Sequence, residues 1–279
     1  MNPLLLATAV EAALAAGRLQ RQYFRTSIDI QKKGAIDLVT EIDLRVEREF
    51  RALIAERFPE HLVLGEENTD GEEMRPGLIS ASHAGNESRS HFFRWIIDPI
   101  DGTTNYAHGL AIFCVSIALE IDGRIDVGVV YDPMADELFT AERGEGARLN
   151  GRRIHVTGCG SIGDALMCTG FPYSVREKPG HLIAGFAEFM RISQAVRRLG
   201  SAALDLCYVA AGRFDAFYEE SLNAWDIAAG ALIVEEAGGR VTGTRGETFT
   251  PHAGHIVASN GQLHAAVLST LDTVRRQNG

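Results

Sequence analysis

Apolar and polar positions alternate along this chain with two periods, and the switches between them mark out its elements. From Met1 to Gly17 an amphipathic pattern runs on smoothly into Arg18, Leu19 and Tyr23, which predicts an opening helix. From Thr40 onward Ile42, Val46, Phe50, Leu53, Ile54 and Phe58 recur at helical spacing, with Arg45, Glu47, Arg48, Arg51 and Glu56 between them. That spacing predicts a surface helix ending near Pro59. Strand-like runs follow at Leu62 to Gly65, Phe92 to Ile97, Phe113 to Ile121, Ile125 to Tyr131 and Glu137 to Ala141, separated by turn signals such as Asp122-Gly123. The middle of the chain therefore reads as a sheet. Asn68 to Ser90 is polar, rich in Gly, Ser and Glu, and without period. It reads as a surface loop, with a lid beside a neighbouring site as the functional alternative.

After Gly151 the pattern changes. Ala165 to Cys168 reads as a strand, Ser201 to Ala211 as a helix, Phe214 to Tyr218 as a strand and Trp225 to Ala237 as a helix. Val241 and Ile256 to Ala258 read as further strands, and Leu263 to Val274 as a closing helix. Such alternation predicts an α/β second half in which helices cover a sheet. One large domain and two closely packed halves both fit.

Composition narrows the functional classes. The chain has 279 residues, 46% hydrophobic and 23% charged, an ordinary globular balance that can bury a large core. Its net charge of -10 argues against a general nucleic-acid binder, which needs a basic face to displace phosphate counterions. An acidic protein that handles phosphate needs cations. Cys114, Cys159, Cys168 and Cys207 form no CxxC pair and read as buried reduced thiols rather than a zinc site or a disulfide framework. The opening segment lacks the basic n-region of a signal peptide and carries Glu11. No stretch approaches the roughly 20 uncharged apolar residues of a membrane span. The expectation is a soluble cytoplasmic protein with no membrane partner and no direct nucleic-acid binding.

The chemistry concentrates in Trp95-Ile96-Ile97-Asp98-Pro99-Ile100-Asp101-Gly102-Thr103-Thr104-Asn105, where an apolar strand runs into two aspartates. Taken alone, this is equally an Asp-rich turn with a helix cap. Gly65-Glu66-Glu67 sets carboxylates at the end of another strand, and Ala224-Trp225-Asp226 sets one at a helix start, where a cap is the commoner role. Together Glu66, Asp98, Asp101 and Asp226 are carboxylates at the ends of elements. Brought close without counter-ions they would repel and take up protons, and hard divalent cations remove that conflict. An all-oxygen site suits Mg²⁺.

At these residues the sequence resembles the inositol monophosphatase family. The resemblance rests on Gly65-Glu66-Glu67, on Trp95 to Asn105, and on Trp225-Asp226-Ile227-Ala228-Ala229-Gly230 with Glu236-Ala237-Gly238-Gly239. Asp37-Leu38-Val39-Thr40 leading to Asp43, and Gly200-Ser201-Ala202-Ala203, match as well. It spans nearly the whole chain in the family's order. It implies a layered α-β-α-β-α sandwich of the α/β (α+β) class: one domain over residues 1–279 in two tightly packed halves, about 1–150 and about 151–279. It also implies a Mg²⁺-dependent phosphatase with two to three ions, for which Mn²⁺ can substitute. The implied reaction is hydrolysis of myo-inositol 1-phosphate to inositol and phosphate by metal-activated water, with Li⁺ sensitivity and a homodimer.

Residue by residue, the resemblance assigns Glu66, Asp98 and the Ile100 carbonyl to one metal. Asp98, Asp101 and Asp226 hold a second, and Glu66 helps with a third. Thr103 with Glu66 positions the attacking water, Asp43 orients the Thr103 hydroxyl, and the Gly102 and Thr103 amides receive phosphate oxygens. Glu219 meets substrate hydroxyls, and Gly200, Ser201 and Ala202 line the same side, although a tight helix start explains those three equally well. Lys32 attracts phosphate or is a solvated charge. Arg197 and Arg198 precede this segment and stand as open candidates for contact with an anionic substrate or a neighbouring subunit.

Two departures matter. The 68–90 connection is longer than is usual in the family, and Gly170-Phe171-Pro172-Tyr173-Ser174 is closer to bacterial members. His252 and His255 form an HxxH pair that reads as surface loop rather than metal site, since no further ligand accompanies it. Alternative substrates sharing the metal core are fructose 1,6-bisphosphate, NADP, histidinol phosphate and 3′-phosphoadenosine nucleotides. Asn105-Tyr106 favours the inositol type. The alternative of another class is a regulatory protein binding the transcription machinery.

Overall fold

In the computed structural model, which describes residues 2–26, 30–32, 38–67, 91–177 and 179–278, α1 (Pro3–Tyr23) opens the chain with Asn2 as its N-cap and Pro3 in its first turn. β1 (Ile30–Lys32) and β2 (Leu38–Thr40) pair as a short antiparallel ribbon. α2 (Glu41–Arg57) starts from a capping box between Thr40 and Asp43. The segment 68–90, read above as a loop or lid, lies outside the described residues.

A seven-stranded sheet follows. β3 (Leu62–Gly65) lies parallel to β4 (Phe93–Asp101), after which β5 (Cys114–Ile121), β6 (Arg124–Asp132), β7 (Glu137–Glu142), β8 (Gly146–Leu149) and β9 (Arg152–Arg153) meander antiparallel. α3 (Thr103–Ala107) is a single turn between β4 and β5. A five-stranded mixed sheet has the order β11 (Ala195–Arg197), β10 (Leu166–Thr169), β12 (Ala216–Glu220), β14 (His255–Ser259) and β13 (Arg240–Thr242). The remaining helices are α4 (Gly180–Ile192), α5 (Ala202–Ala210), α6 (Ala224–Glu236) and α7 (His264–Asn278).

Strand alternation explains how these elements stack. In β4 and β5, Trp95, Ile97, Val115, Ile117 and Leu119 join the core under α1 and α2, while Ile96, Cys114 and Ala118 face α5 and α6. In β12, Phe217 faces that same middle layer, and Ala216 and Tyr218 face the outer core with Phe189 of α4 and Leu271 of α7. The order of layers is helix, sheet, helix, sheet, helix. α5 and α6 are buried on nearly every side because they lie between the two sheets.

Several features differ from the sequence reading, among them the short strands β1, β2, β8, β9 and β11. α4 is absent from that reading, although Leu182, Phe186 and Phe189 recur at helical spacing along it; Ile183 and Met190 remain exposed. Of the four cysteines, all free, Cys159 is only half-buried rather than buried. β4 does not stop at Ile97 but runs on to Asp101. Among the described residues, no helix is long and apolar enough to cross a membrane.

Candidate active site

The extension of β4 creates the site. Asp98 pairs with Ser116 and Asp101 with Cys114, so β4 carries one residue more than its partner between these pairs. An extra residue reverses the face on which everything beyond it falls. Asp98 and Asp101, which would otherwise point to opposite faces, therefore both reach the middle layer, and Ile100 packs under α1 and α2. Gly102 then turns the chain at φ 100°, backbone that disfavours any side chain, into α3.

A third carboxylate arrives from the first turn of α6. There Asp226 closes a capping box, accepting from the Asn223 amide at 2.6 Å. Asp98, Asp101 and Asp226 each bring a carboxylate oxygen within 4.8 Å of the others. Among the described residues this is the one such group of His, Cys, Asp or Glu side chains. Glu66, just beyond β3, lines the same cavity of about 510 Å³, as do Gly102, Thr103, Gly200, Ser201, Ala202 and Glu219.

Electrostatics show what the cluster favours. Burial, reinforced by Glu66, Asp101 and Asp226, pushes the Asp98 carboxyl well above the usual range. Asp226 is raised in the same sense, by burial first and then by Asp101. Asp101, also raised by burial, stops at about 6 because the Ser201 hydroxyl and the Ala203 and Ala202 amides donate to it at 2.6, 2.7 and 3.3 Å. Repelling buried carboxyls of this kind are relieved by a cation. The donor set is all oxygen, so the residues fit a hard divalent ion.

The other predicted residues are distributed as follows. The Ile100 carbonyl accepts from the Thr103 hydroxyl at 2.9 Å, while the Ile100 amide donates to Asp98 at 2.9 Å. Thr103 thus makes its bond to Ile100 and not to Asp43. Asp43 spends one oxygen on the Thr40 amide and hydroxyl, and its other oxygen is buried without a partner. Burial pushes Asp43 up to about 8. Glu219, at the end of β12, faces the cavity and is pushed up to about 8 by burial and then by Asp205. The Lys32 side chain lies outside the described residues. His252 and His255 go separate ways, His252 to Arg94 at 3.1 Å and His255 to Glu247 at 2.6 Å, as surface residues.

The sequence missed Asp205 in the lining and left the role of Arg198 open. Asp205 and Arg198 both line the cavity and act electrostatically on Glu219. Ser201 occupies the N-cap position of α5 yet makes no capping bond, because its hydroxyl is committed to Asp101. A Ser before an apolar run reads as a cap, so that role has no signature in sequence.

The similarities agree with this geometry. The model of the inositol monophosphatase family matches residues 2–276. Nus factor SuhB of Pseudomonas aeruginosa is 42% identical over 278 residues, 97% of this chain and 96% of that protein. An inositol-1-monophosphatase of Mesorhizobium japonicum is 41% identical over 269 residues, 96% of each chain. The crystal structure of extragenic suppressor protein SuhB from Bartonella henselae superposes with a TM-score of 0.85 at 37% identity, covering 96% of this chain and 98% of that one. With the match running from the first helix to the last, through the bulge that gathers the aspartates, the chain belongs to the inositol monophosphatase family.

Proposed function

We propose that this chain is a Mg²⁺-dependent phosphomonoesterase acting on myo-inositol 1-phosphate. One observation carries the reading: Asp98, Asp101 and Asp226 converge within 4.8 Å in a cavity that Glu66 also lines. The substrate is supported by relatives named inositol-1-monophosphatase at 41% identity. On this reading Glu66, Asp98 and the Ile100 carbonyl hold one ion, and Asp98, Asp101 and Asp226 a second, with Glu66 contributing to a third. When bound, such ions supply Lewis acidity, activating water and neutralising phosphate charge.

The chain's own task is arrangement. Acceleration of phosphomonoester hydrolysis can reach about 10²¹-fold, roughly 28 kcal/mol, of which a positioned base supplies only about 10²- to 10⁴-fold. Ser201 and the Ala202 and Ala203 amides fix Asp101, and the Ile100 amide fixes Asp98. Thr103, with Glu66, orients the attacking water, and the Gly102 and Thr103 amides receive phosphate oxygens. Glu219 holds its proton up to about pH 8, so at neutral pH it can donate to a substrate hydroxyl as well as accept from one. The reading takes the chain as one domain working as a cytoplasmic homodimer, inhibited by Li⁺.

Phosphate release from myo-inositol 1-phosphate, fructose 1,6-bisphosphate, NADP, histidinol phosphate and 3′-phosphoadenosine nucleotides, with and without Mg²⁺, tests it. Faster turnover of another phosphate overturns the substrate, and no release from any of them with Mg²⁺ or Mn²⁺ overturns the activity. A second reading, action as a Nus factor, is favoured by the 42% identical relative of that name. Rescue of a deletion phenotype by an Asp101→Asn protein would support it.

A further inference from the structure

Glu47 is fully buried on α2, one turn beyond Asp43, and is not among the residues that line the cavity. Burying a carboxylate is costly unless its oxygens are paired, so the partners show what it is for. One oxygen accepts from the Arg51 guanidinium at 2.8 Å and the other from the Glu67 amide at 2.8 Å. Arg51 also donates to the Val63 carbonyl at 3.1 Å. Between those two anchor points a Cβ built on Gly65 would lie only 2.4 to 2.5 Å from the Glu47 carboxylate atoms, so the carboxylate packs against the bare Cα of that residue.

Residues 63, 65 and 67 are thus gripped from one side by a single pair of side chains on α2. Strand alternation then fixes the residue in between. Val63 packs under α1 and α2, Leu64 packs on the middle layer, and Glu66 falls on the side of Leu64, facing the cavity. Glu66 follows the last residue of β3, where the sheet no longer holds the backbone by strand pairing. The α2 pair supplies that hold.

We propose that Glu47, supported by Arg51, is a positioning residue that sets the Glu66 carboxylate against Asp98, so that loss of Glu47 weakens ion binding without touching the ion. The effect on ions rests on the phosphatase reading, whereas the grip on the backbone does not. Two measurements on the full chain separate them. The first is hydrogen exchange at the Glu67 amide in metal-free protein, which Glu47→Gln should accelerate at least about 10-fold, corresponding to loss of a hydrogen bond to a charged acceptor. The second is Mn²⁺ binding by calorimetry, where Glu47→Gln should weaken binding about 10-fold, the lower end of what loss of an outer support costs a metal site. A merely structural role would not reproduce the coupling: in a Glu66→Gln background, Glu47→Gln should weaken Mn²⁺ binding no further. Gly65→Ala, which pushes the carboxylate away by a different route, should give the same defect should Glu47→Gln melt early. Unchanged exchange at Glu67 overturns the grip. Unchanged Mn²⁺ affinity in folded Glu47→Gln, or a full further loss on Glu66→Gln, overturns the positioning role. Absence of Mn²⁺ binding by the unmutated chain sinks the phosphatase reading instead, and the exchange result still decides the grip.

Discussion

Replacing Glu219 by Gln should make the protein more stable and a worse enzyme, with the gain growing as pH rises. Glu219 is 9% exposed at the end of β12, and burial with Asp205 nearby lifts its carboxyl from an ordinary 4.5 to about 8. Between those values the folded chain keeps a proton that the unfolded chain has released, so folding stability falls as pH rises through that window. At 1.36 kcal/mol per pH unit the full penalty above pH 8 is about 5 kcal/mol, a ceiling that relaxation reduces. At pH 5, close to the unfolded value, the penalty is about 1 kcal/mol, and at pH 7 about 3 kcal/mol. Glutamine has the shape of the protonated acid and no charge to desolvate, so Glu219→Gln should recover these amounts. Urea unfolding of both proteins at pH 5, 7 and 8.5 with a chelator present reads the difference, because carboxyls remote from Glu219 titrate alike in both, and Asp226, which feels the Glu219 charge, adds to the difference in the same direction. KM for the phosphate substrate should rise, because the glutamine NH₂ only donates where the carboxyl OH both donates and accepts. A stability difference that stays flat across pH, or that favours Glu219 at pH 8.5, refutes the reasoning.

Ser201→Ala removes the 2.6 Å bond to Asp101, and a bond to a charged acceptor is worth about 1.5–3 kcal/mol, so phosphate release at limiting Mg²⁺ should fall about 10-fold or more and the melting temperature by several degrees. Asp101→Asn should lower Mg²⁺-dependent turnover by about 10²- to 10³-fold with the fold intact by circular dichroism, and turnover within a few-fold of normal would remove Asp101 from the metal site. Mg²⁺ at about 100 times its Kd should stabilise the protein by about 2.7 kcal/mol in chemical denaturation, and EDTA should abolish that gain. Ile117→Ala, at a fully buried site under α1 and α2, should cost about 2–5 kcal/mol in the same assay.

Much of this architecture is written in local patterns. The periodicities of Ile42 to Phe58 and of Phe113 to Ile121 anticipate α2 and β5, because each buries a single stripe or face. α4 carries the same kind of signal in Leu182, Phe186 and Phe189, with Ile183 and Met190 exposed beside the stripe. The candidate ligands Asp98, Asp101 and Asp226 could be named from their place at the ends of elements. What brings the first two to one face could not, because a bulge is a relation between β4 and β5, set by which residue of Cys114 to Ser116 each aspartate opposes. The same limit hides the link from Ser201 to Asp101, residues 100 apart in sequence, and the grip of Glu47 and Arg51 on the β3 exit. Partnerships across layers depend on register and stacking, and neither is recorded in the order of residues along one element.

The position of α6 has a consequence for the molecule as a whole. It packs on β4, β5 and β6 on one side and reaches β13 and β14 on the other, while its first turn carries Asp226. Asp98 and Asp101 belong to the seven-stranded sheet, so the three acids are drawn from two different slabs of the structure. An ion gripped by all three therefore acts as a rivet, and any slippage of one slab over the other pulls the rivet hole out of true. Selection for ion affinity is then also selection on how the slabs sit, which links remote core residues of α6 to the chemistry at its tip.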